Sequence, residues 1–511
     1  MRLFSKLVLI FAKEIAFVKK TRLISALLAV ILLGTACAPA AVDDETTEES
    51  VTEAVTEAPE EELTDGLPED LNYGDEVINI LNTEYIVSGP KDFDPDVSVH
   101  EQQASVVQEA NYYRRIAVED RLGVQINFID HQPFGEIKGM VRQSVNAGSN
   151  DYDMVFNYAT YMVDLVYEGM FLPVSELTYV DLDKPWWNKE YIEAVSININ
   201  NPYILFGDIT YNSVQRTTCV FFNKALLTAR LGMTDDDMYQ LVLDGKWTID
   251  KFTELASAVY EDNGNTRSDY NDIHGLVIYN TDAFNWMAFS SGLEFTARDE
   301  EGYPVLNLNT EAASDLCDKL LKLFSGDHLF VASTNDDHVN KFATNKALFI
   351  VNRLFLADWV EIRAMEDDYG IIPMPKYDES IDGYHATVAD LTLWGCVPIT
   401  TPDPVMISAV AESMAFEGYK NVMPAYYETA LKLKYTRGED SDTETQIIDM
   451  IAGGARTDFL YMNRLDGLGR IFANVYERRN NMFASIYASY EQGANMKLKT
   501  LIQMDRDSVK Q

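Results

Sequence analysis

Cysteine is scarce, with only Cys37, Cys219, Cys317 and Cys396 in 511 residues. They are widely spaced, and the three beyond Cys37 are odd in number. They therefore build neither a disulfide framework nor a zinc site, and read as buried free thiols. Six histidines are scattered along the chain. There is no G-x-S-x-G elbow, no H-E-x-x-H pair and no G-x-x-x-x-G-K-[ST] loop, which removes the usual hydrolase, zinc-protease and nucleotide signals. No cofactor or metal is implied. Carboxylate pairs abound in so acidic a chain, yet nothing singles one out for glycoside hydrolysis.

Positive charge is also short. Lys and Arg number 41 against 81 Asp and Glu, a formal net charge of -40. That balance argues against nucleic acid, and against anionic headgroups on the folded face. Only one long apolar run exists, near the N-terminus. The rest, 47% hydrophobic and 11% aromatic overall, reads as a soluble globular protein too long for a single core.

That apolar run, Leu23 to Leu33, follows Lys19, Lys20 and Arg22 and leads through Gly34, Thr35 and Ala36 into Cys37. A cationic start, a short apolar middle and a small-residue exit make a secretory signal, too short for a bilayer-spanning helix of about 20 residues. The following cysteine makes the segment resemble a bacterial lipoprotein signal, which implies acylation of Cys37 and cleavage just before it. One departure is Gly34 at the position that usually holds Leu. Residues 1–17 fit no signal well; they read as an amphipathic anchor or, in the preferred reading, as an over-called start with Val18 the true initiator. From Asp43 to Asp70 there is no Lys or Arg. Acid, Thr and Pro without aromatics read as an extended tether, so residues 1–36 are assigned to the signal and 37–71 to the tether.

Beyond it, "EVINIL" suits a buried strand, and "SVVQEANYYRRIAVEDRLGV" has helical spacing through Val106, Ala110, Tyr113, Ile116 and Ala117. The strand "VQINFID", a helix from about Gly135 to Asn146 and the strand "YDMVFN" follow. Alternation of this kind predicts an α/β domain with parallel strands and crossover helices. In such sheets ligands sit beyond the carboxyl ends of the strands.

Several landmarks, in order, carry a family resemblance: "AGSNDYDMVF", "EGMFLPVSEL", "VFFNKALLTARLG", "DGKWTIDKFTELASAVYEDNG", "KFATNKALFIVNR" with Asn345 where Gly is usual, "YGIIPMPK" and "WGCVPIT". Over residues 75–511 the chain resembles the extracellular solute-binding proteins of ABC importers, the class containing maltose-binding protein. The resemblance implies a two-lobed periplasmic-binding-protein-like fold of type II, with mixed or parallel sheets flanked by helices and joined by a hinge. Lobe one would take 72–218 and 394–432, and lobe two 219–393 and 433–511. It implies a monomeric receptor, not an enzyme, on the outer face of the cell membrane. Such a receptor closes on a sugar and delivers it to the permease. A peptide or polyamine ligand, which an acidic surface would attract, stays open, as does a surface glycan hydrolase.

Aligning "DMVFNYATYMVDLVYEGMF" with the family pattern places its sugar-contacting Trp, Asp and Arg on Asn157, Thr160 and Tyr161, with Tyr158 between them. All three identities differ, which puts maltose itself in doubt. The family's cleft Glu falls on Arg216 and its stacking Trp on Phe355, just after Arg353. Asp208, Tyr211 and Asp390 lie on segments entering the crossings. Flat rings pack on sugar C–H faces while acids, amides and Arg bind hydroxyls, so the tryptophans matter. Trp247 opens a helix and reads as core. Trp186 and Trp187, in a Pro-broken stretch, are expected to leave one ring for the cleft. Trp286 and Trp394 fit either core or ligand. Calcium at residues 261–275 is the weaker reading, since Gly264 comes too early for an EF-hand loop and a turn serves as well. "NDDH", residues 335–338, reads as a solvated loop.

Overall fold

The computed structural model describes residues 63–83, 106–264, 269–427 and 441–508, so Cys37, the signal and most of the tether lie outside the described part. Its strands are β1 (Glu76–Thr83), β2 (Val124–His131), β3 (Met154–Tyr158), β4 (Thr218–Asn223), β5 (Tyr260–Glu261), β6 (Ile273–Ile278) and β7 (Thr296–Arg298). They continue with β8 (Pro304–Leu306), β9 (Leu329–Val331), β10 (Ala347–Arg353), β11 (Tyr369–Pro373), β12 (Ala386–Thr387), β13 (Leu393–Cys396) and β14 (Ala455–Arg456).

Two larger sheets organise them. The first runs β13-β3-β1-β2, with β1 parallel to both β2 and β3 and β13 antiparallel to β3. β3 is buried along its whole length, whereas β2 alternates buried and exposed over its first five residues, as an edge strand with one wet face should. The second runs β11-β4-β10-β6-β5, with β9 also on β6. There β10 is parallel to β6, and β4 is antiparallel to both β10 and β11. This is the mixed α/β, two-lobed architecture with helices flanking each sheet.

The helix Val106–Leu122 forms where its spacing predicts, but with a different inward face. Val107, Asn111, Arg114, Val118 and Leu122 are buried, while Val106 and Tyr113 are about half exposed. The cause is Arg114, whose Nη1 donates to the Ile209 carbonyl over 2.7 Å and turns the helix to put a guanidinium inside. Asn345, standing where the family has Gly, adopts φ 59°. That left-handed conformation is one Asn tolerates better than most side chains, and its Oδ1 also accepts from Asn223 Nδ2 over 2.7 Å.

Residues 63–71, acidic enough to read as tether, pack on the protein. Leu67 is buried, and Arg121 reaches the carbonyls of Leu67 and Pro68 and the carboxylate of Asp65. "NDDH" is not a loop either. It opens the helix Asn335–Ala343, whose cap Thr334 accepts from the Asp337 amide, and His338 is buried.

Two segments cross between the sheets side by side, residues 209–217 and 388–392. Thr217 bridges Val388, and the Ala389 amide donates to the Arg216 carbonyl over 3.0 Å. The buried side chain of Asn212 ties them again, its Oδ1 accepting from the Leu393 amide and the Thr392 hydroxyl. Two short segments bonded in this way, the first carrying the helical turn Asn212–Gln215, form a hinge-like connection.

Candidate functional site

Beyond the carboxyl ends of β3, β6 and β10, and beside the crossings, aromatic rings and charged groups converge. β10 ends on Arg353, whose guanidinium lies 4.7 Å from the ring centroid of Phe355 and 5.3 Å from that of Trp286. Arg216, nearly fully buried at the end of the first crossing, sits 5.0 Å from the same Phe355 ring. Phe355 thus takes two guanidiniums, an arrangement in which the ring's negative face stabilises each cation.

Trp286 lies on the helix Asp282–Phe289, which follows β6, and is half-buried. Its Nε1 donates to the Tyr461 hydroxyl over 3.1 Å. The same hydroxyl accepts from the Asp390 amide over 3.3 Å, while the Asp390 carbonyl accepts from the Thr160 amide over 3.2 Å. The Asp390 carboxylate pairs with Arg464. Thr160, Asp390, Tyr461 and Trp286 therefore form one connected path from the first sheet's helix to the second sheet's.

Electrostatics agree with this closeness. Burial raises the Asp282 carboxyl, and the nearby Asp390 charge raises it further, against Arg353 and Arg470. Burial, helped by Asp390 and Asp282, holds the Tyr461 phenol well above its ordinary range, so it stays protonated and can act as a donor or an acceptor. Phe355, Tyr461 and Arg216 are themselves buried, so what the arrangement presents is the part-exposed ring of Trp286, the carboxyls of Asp282 and Asp390, and the guanidiniums of Arg353 and Arg464. It can bind hydroxyls and pack on C–H surfaces.

Of the residues expected from the sequence, Thr160, Arg216, Trp286, Arg353, Phe355 and Asp390 are brought together here. Others sit elsewhere. Trp186 and Trp187 are both buried, a correction to the expected exposed ring. Their indole N–H groups donate to the two oxygens of Glu412, each over 2.9 Å, so a single buried carboxylate satisfies both. Burial raises Glu412 to about 7 despite the opposing effect of these two donors and the Asp181 amide. Trp394 is core as well, donating to the hydroxyl of buried Tyr191 over 3.0 Å.

Asn157 points into the protein, its Nδ2 on the Phe134 carbonyl and its Oδ1 on the Tyr158 amide. Tyr158 is buried edge-on against Phe134, and half-buried Tyr161 leans on the same ring. Tyr211 is buried against Tyr426. Asp208, raised by burial to about 7, lies with Gly418 and Tyr427, away from the Arg353 cluster. Asp282, Tyr461 and Arg464 were not expected. Asp282 stands within "DAFNWMAF" beside Trp286, which was the available signal, whereas Tyr461 and Arg464 reach the site only through chain reversal late in the sequence.

In the acidic stretch before β6, the described residues on either side of 265–268 cap one another. Asp272 accepts the amides of Asn263 and Asp269, and Asp262 accepts that of Gly264. The ammonium of Lys341 donates to the carbonyls of Tyr270 and Asp272, each over 2.9 Å. The Lys341 amine therefore already occupies these carbonyls, with burial lowering its pKa to about 8.

No protein-family model matches the sequence, and no curated protein matches it. Among solved structures, a cyclo/maltodextrin-binding protein complexed with maltotetraose aligns with TM-score 0.51 at 12% identity, covering 84% of this chain and 97% of the other. UgpB from Mycobacterium tuberculosis, in complex with glycerophosphocholine, aligns with TM-score 0.51 at 15% identity, covering 78% of this chain and 97% of the other. At such identities the likeness is one of fold, and the chain has the two-lobed fold of these structures.

Proposed function

We propose that this protein is a solute-binding receptor which captures a mono- or oligosaccharide between its two lobes and presents it to an ABC permease, without covalent chemistry. The observation that carries the reading is the part-exposed ring of Trp286, backed by buried Phe355 and Tyr461, converging with Asp282, Asp390, Arg353 and Arg464 at the carboxyl ends of strands from both sheets. Apolar ring faces next to hydroxyl-binding groups are what a sugar's two kinds of surface require. The fold it shares with a maltodextrin-binding protein supports the same ligand class.

The cellular setting is part of the proposal. Cys37 is acylated after removal of residues 1–36, and the acidic segment behind it tethers the receptor outside the membrane, raising its local concentration at the permease.

Thermal unfolding with mono- and oligosaccharides, amino acids, peptides and polyamines tests the function. A ligand that binds only the native state raises the midpoint with log concentration. A shift with one saccharide class, little affected by salt, is expected. Shifts only with peptides or polyamines, weakening steeply with salt, would overturn the substrate and keep the fold. Release of reducing ends from mixed polysaccharides would overturn the receptor reading.

A further inference from the structure

Arg464 stands where no helix-ending residue of its kind is comfortable. The helix Phe459–Asn463 ends on it, and Arg464, Leu465 and Asp466 have φ of 56°, 26° and 56°, followed by Gly467 at 96°. Three successive non-glycine residues in the left-handed region carry strain, because each Cβ crowds its own carbonyl. The surroundings hold them there. The Arg464 carbonyl accepts the amides of both Gly467 and Gly469 over 2.8 and 3.1 Å, and a Cβ on Gly469 would meet the Leu460 carbonyl at 2.3 Å.

The strain delivers one thing to the site, the Arg464 guanidinium on the Asp390 carboxylate. That pair does little for folding, since the arginine side chain is 45% exposed and the aspartate 25%, and ion pairs so open to water contribute little stability. Its place is what distinguishes it. Asp390 is bonded through its backbone to Thr160 on one side and to Tyr461, the partner of Trp286, on the other. Arg464 directly follows the short helix that carries Tyr461.

We infer that Arg464, with Asp390, is the hydroxyl-recognising pair of the saccharide site, and that the left-handed turn is kept strained in order to position it. The inference rests on the saccharide reading above. A carboxylate accepts from one sugar hydroxyl while the guanidinium donates to its neighbour, so the pair suits a residue with two free adjacent hydroxyls. Water reaches both partners already, which lets a ligand replace it without breaking a buried bond.

The test uses the full chain and the saccharide giving the largest thermal shift. Arg464→Gly removes the guanidinium and relieves the backbone, Arg464→Ala removes the guanidinium and keeps the strain, and Arg464→Lys keeps the charge. Expected are an Arg464→Gly midpoint without ligand above that of Arg464→Ala, and binding in both at least about tenfold weaker than wild type, as for loss of a charge-assisted hydrogen bond. Arg464→Lys should recover part of the affinity. Asp390→Asn should weaken binding similarly, and adding Arg464→Gly to it should cost little more. Wild-type affinity in Arg464→Gly, with wild type itself binding saccharide, overturns the recognition role alone. Equal midpoints for the Gly and Ala variants overturn the strain. A wild type that binds no saccharide overturns the functional reading first, and the recognition role with it.

Discussion

Trp286 and Tyr461, 175 positions apart in sequence, are joined by a hydrogen bond of 3.1 Å from the indole N–H to the phenol oxygen. The bond fixes the ring of Trp286 beside Arg353 and ties it, through Tyr461, to Asp390. Replacing Trp286 with Phe keeps a ring and loses the donor, which is expected to weaken saccharide binding by about 2- to 10-fold, the range of a neutral hydrogen bond. Trp286→Ala removes the packing surface and is expected to weaken it by more than about tenfold. Calorimetric titration measures both, and unchanged affinity in the alanine variant would remove Trp286 from the site.

Glu412 should make the protein less stable as pH rises. Its folded carboxyl is raised to about 7, above the ordinary value near 4.5, so the native state holds a proton that the unfolded state has released. Stability from this group is fully present below the unfolded value and is lost as pH rises through about 7. At about 1.4 kcal/mol per unit, the loss is at most about 3.5 kcal/mol. Asp208, raised to about 7 by burial, acts in the same direction. Denaturant unfolding between pH 4.5 and 7.5 should show the decline, and Glu412→Gln should flatten part of it. Glu412→Ala strands two buried indole N–H groups and should cost about 2–4 kcal/mol at any pH in that range. Equal slopes for wild type and the glutamine variant would refute the assignment.

Asn345 offers a test that needs no ligand. Since its φ is 59°, Asn345→Ala is expected to destabilise by about 1–2 kcal/mol, from a strained backbone and a lost bond to Asn223. Asn345→Gly relieves the backbone and loses only the bond, so it should fall within about 1 kcal/mol of wild type. Urea midpoints at constant slope would decide. An alanine variant no less stable than the glycine one contradicts the left-handed assignment.

A chain beginning at Leu63 should be more stable than one beginning at Leu71. The shorter chain loses buried Leu67, worth about 1.5–3 kcal/mol, and leaves Arg121 without Asp65 and two carbonyls. Differential scanning of the two chains side by side reads this directly, and identical midpoints would mean that the Leu67 contact contributes nothing.

Strand and helix alternation was readable because apolar period depends only on neighbouring residues. "EVINIL" and "VQINFID" lie within β1 and β2, "YDMVFN" overlaps β3, and the helices between them lie where spacing puts them. Even so, periodicity chose the wrong face of the helix Val106–Leu122, because the partner of Arg114 is the Ile209 carbonyl, 95 residues away. Composition likewise could not separate Leu63 to Leu71 from the acidic run before it.

The site divided along the same line. Asp390 could be placed by its position on a segment entering a crossing, and Phe355 by the family resemblance, both near strand ends where a ligand can sit. Which rings face outward could not, because a buried carboxylate on a distant helix decides it for Trp186 and Trp187. By itself the sequence determined the α/β class, the scarcity of thiols and the acidic balance, all properties of local pattern and composition. Only the tertiary structure decided that Tyr461 and Arg464 join Trp286 and Asp390, because side-chain bonds across long separations form only once the sheets are packed.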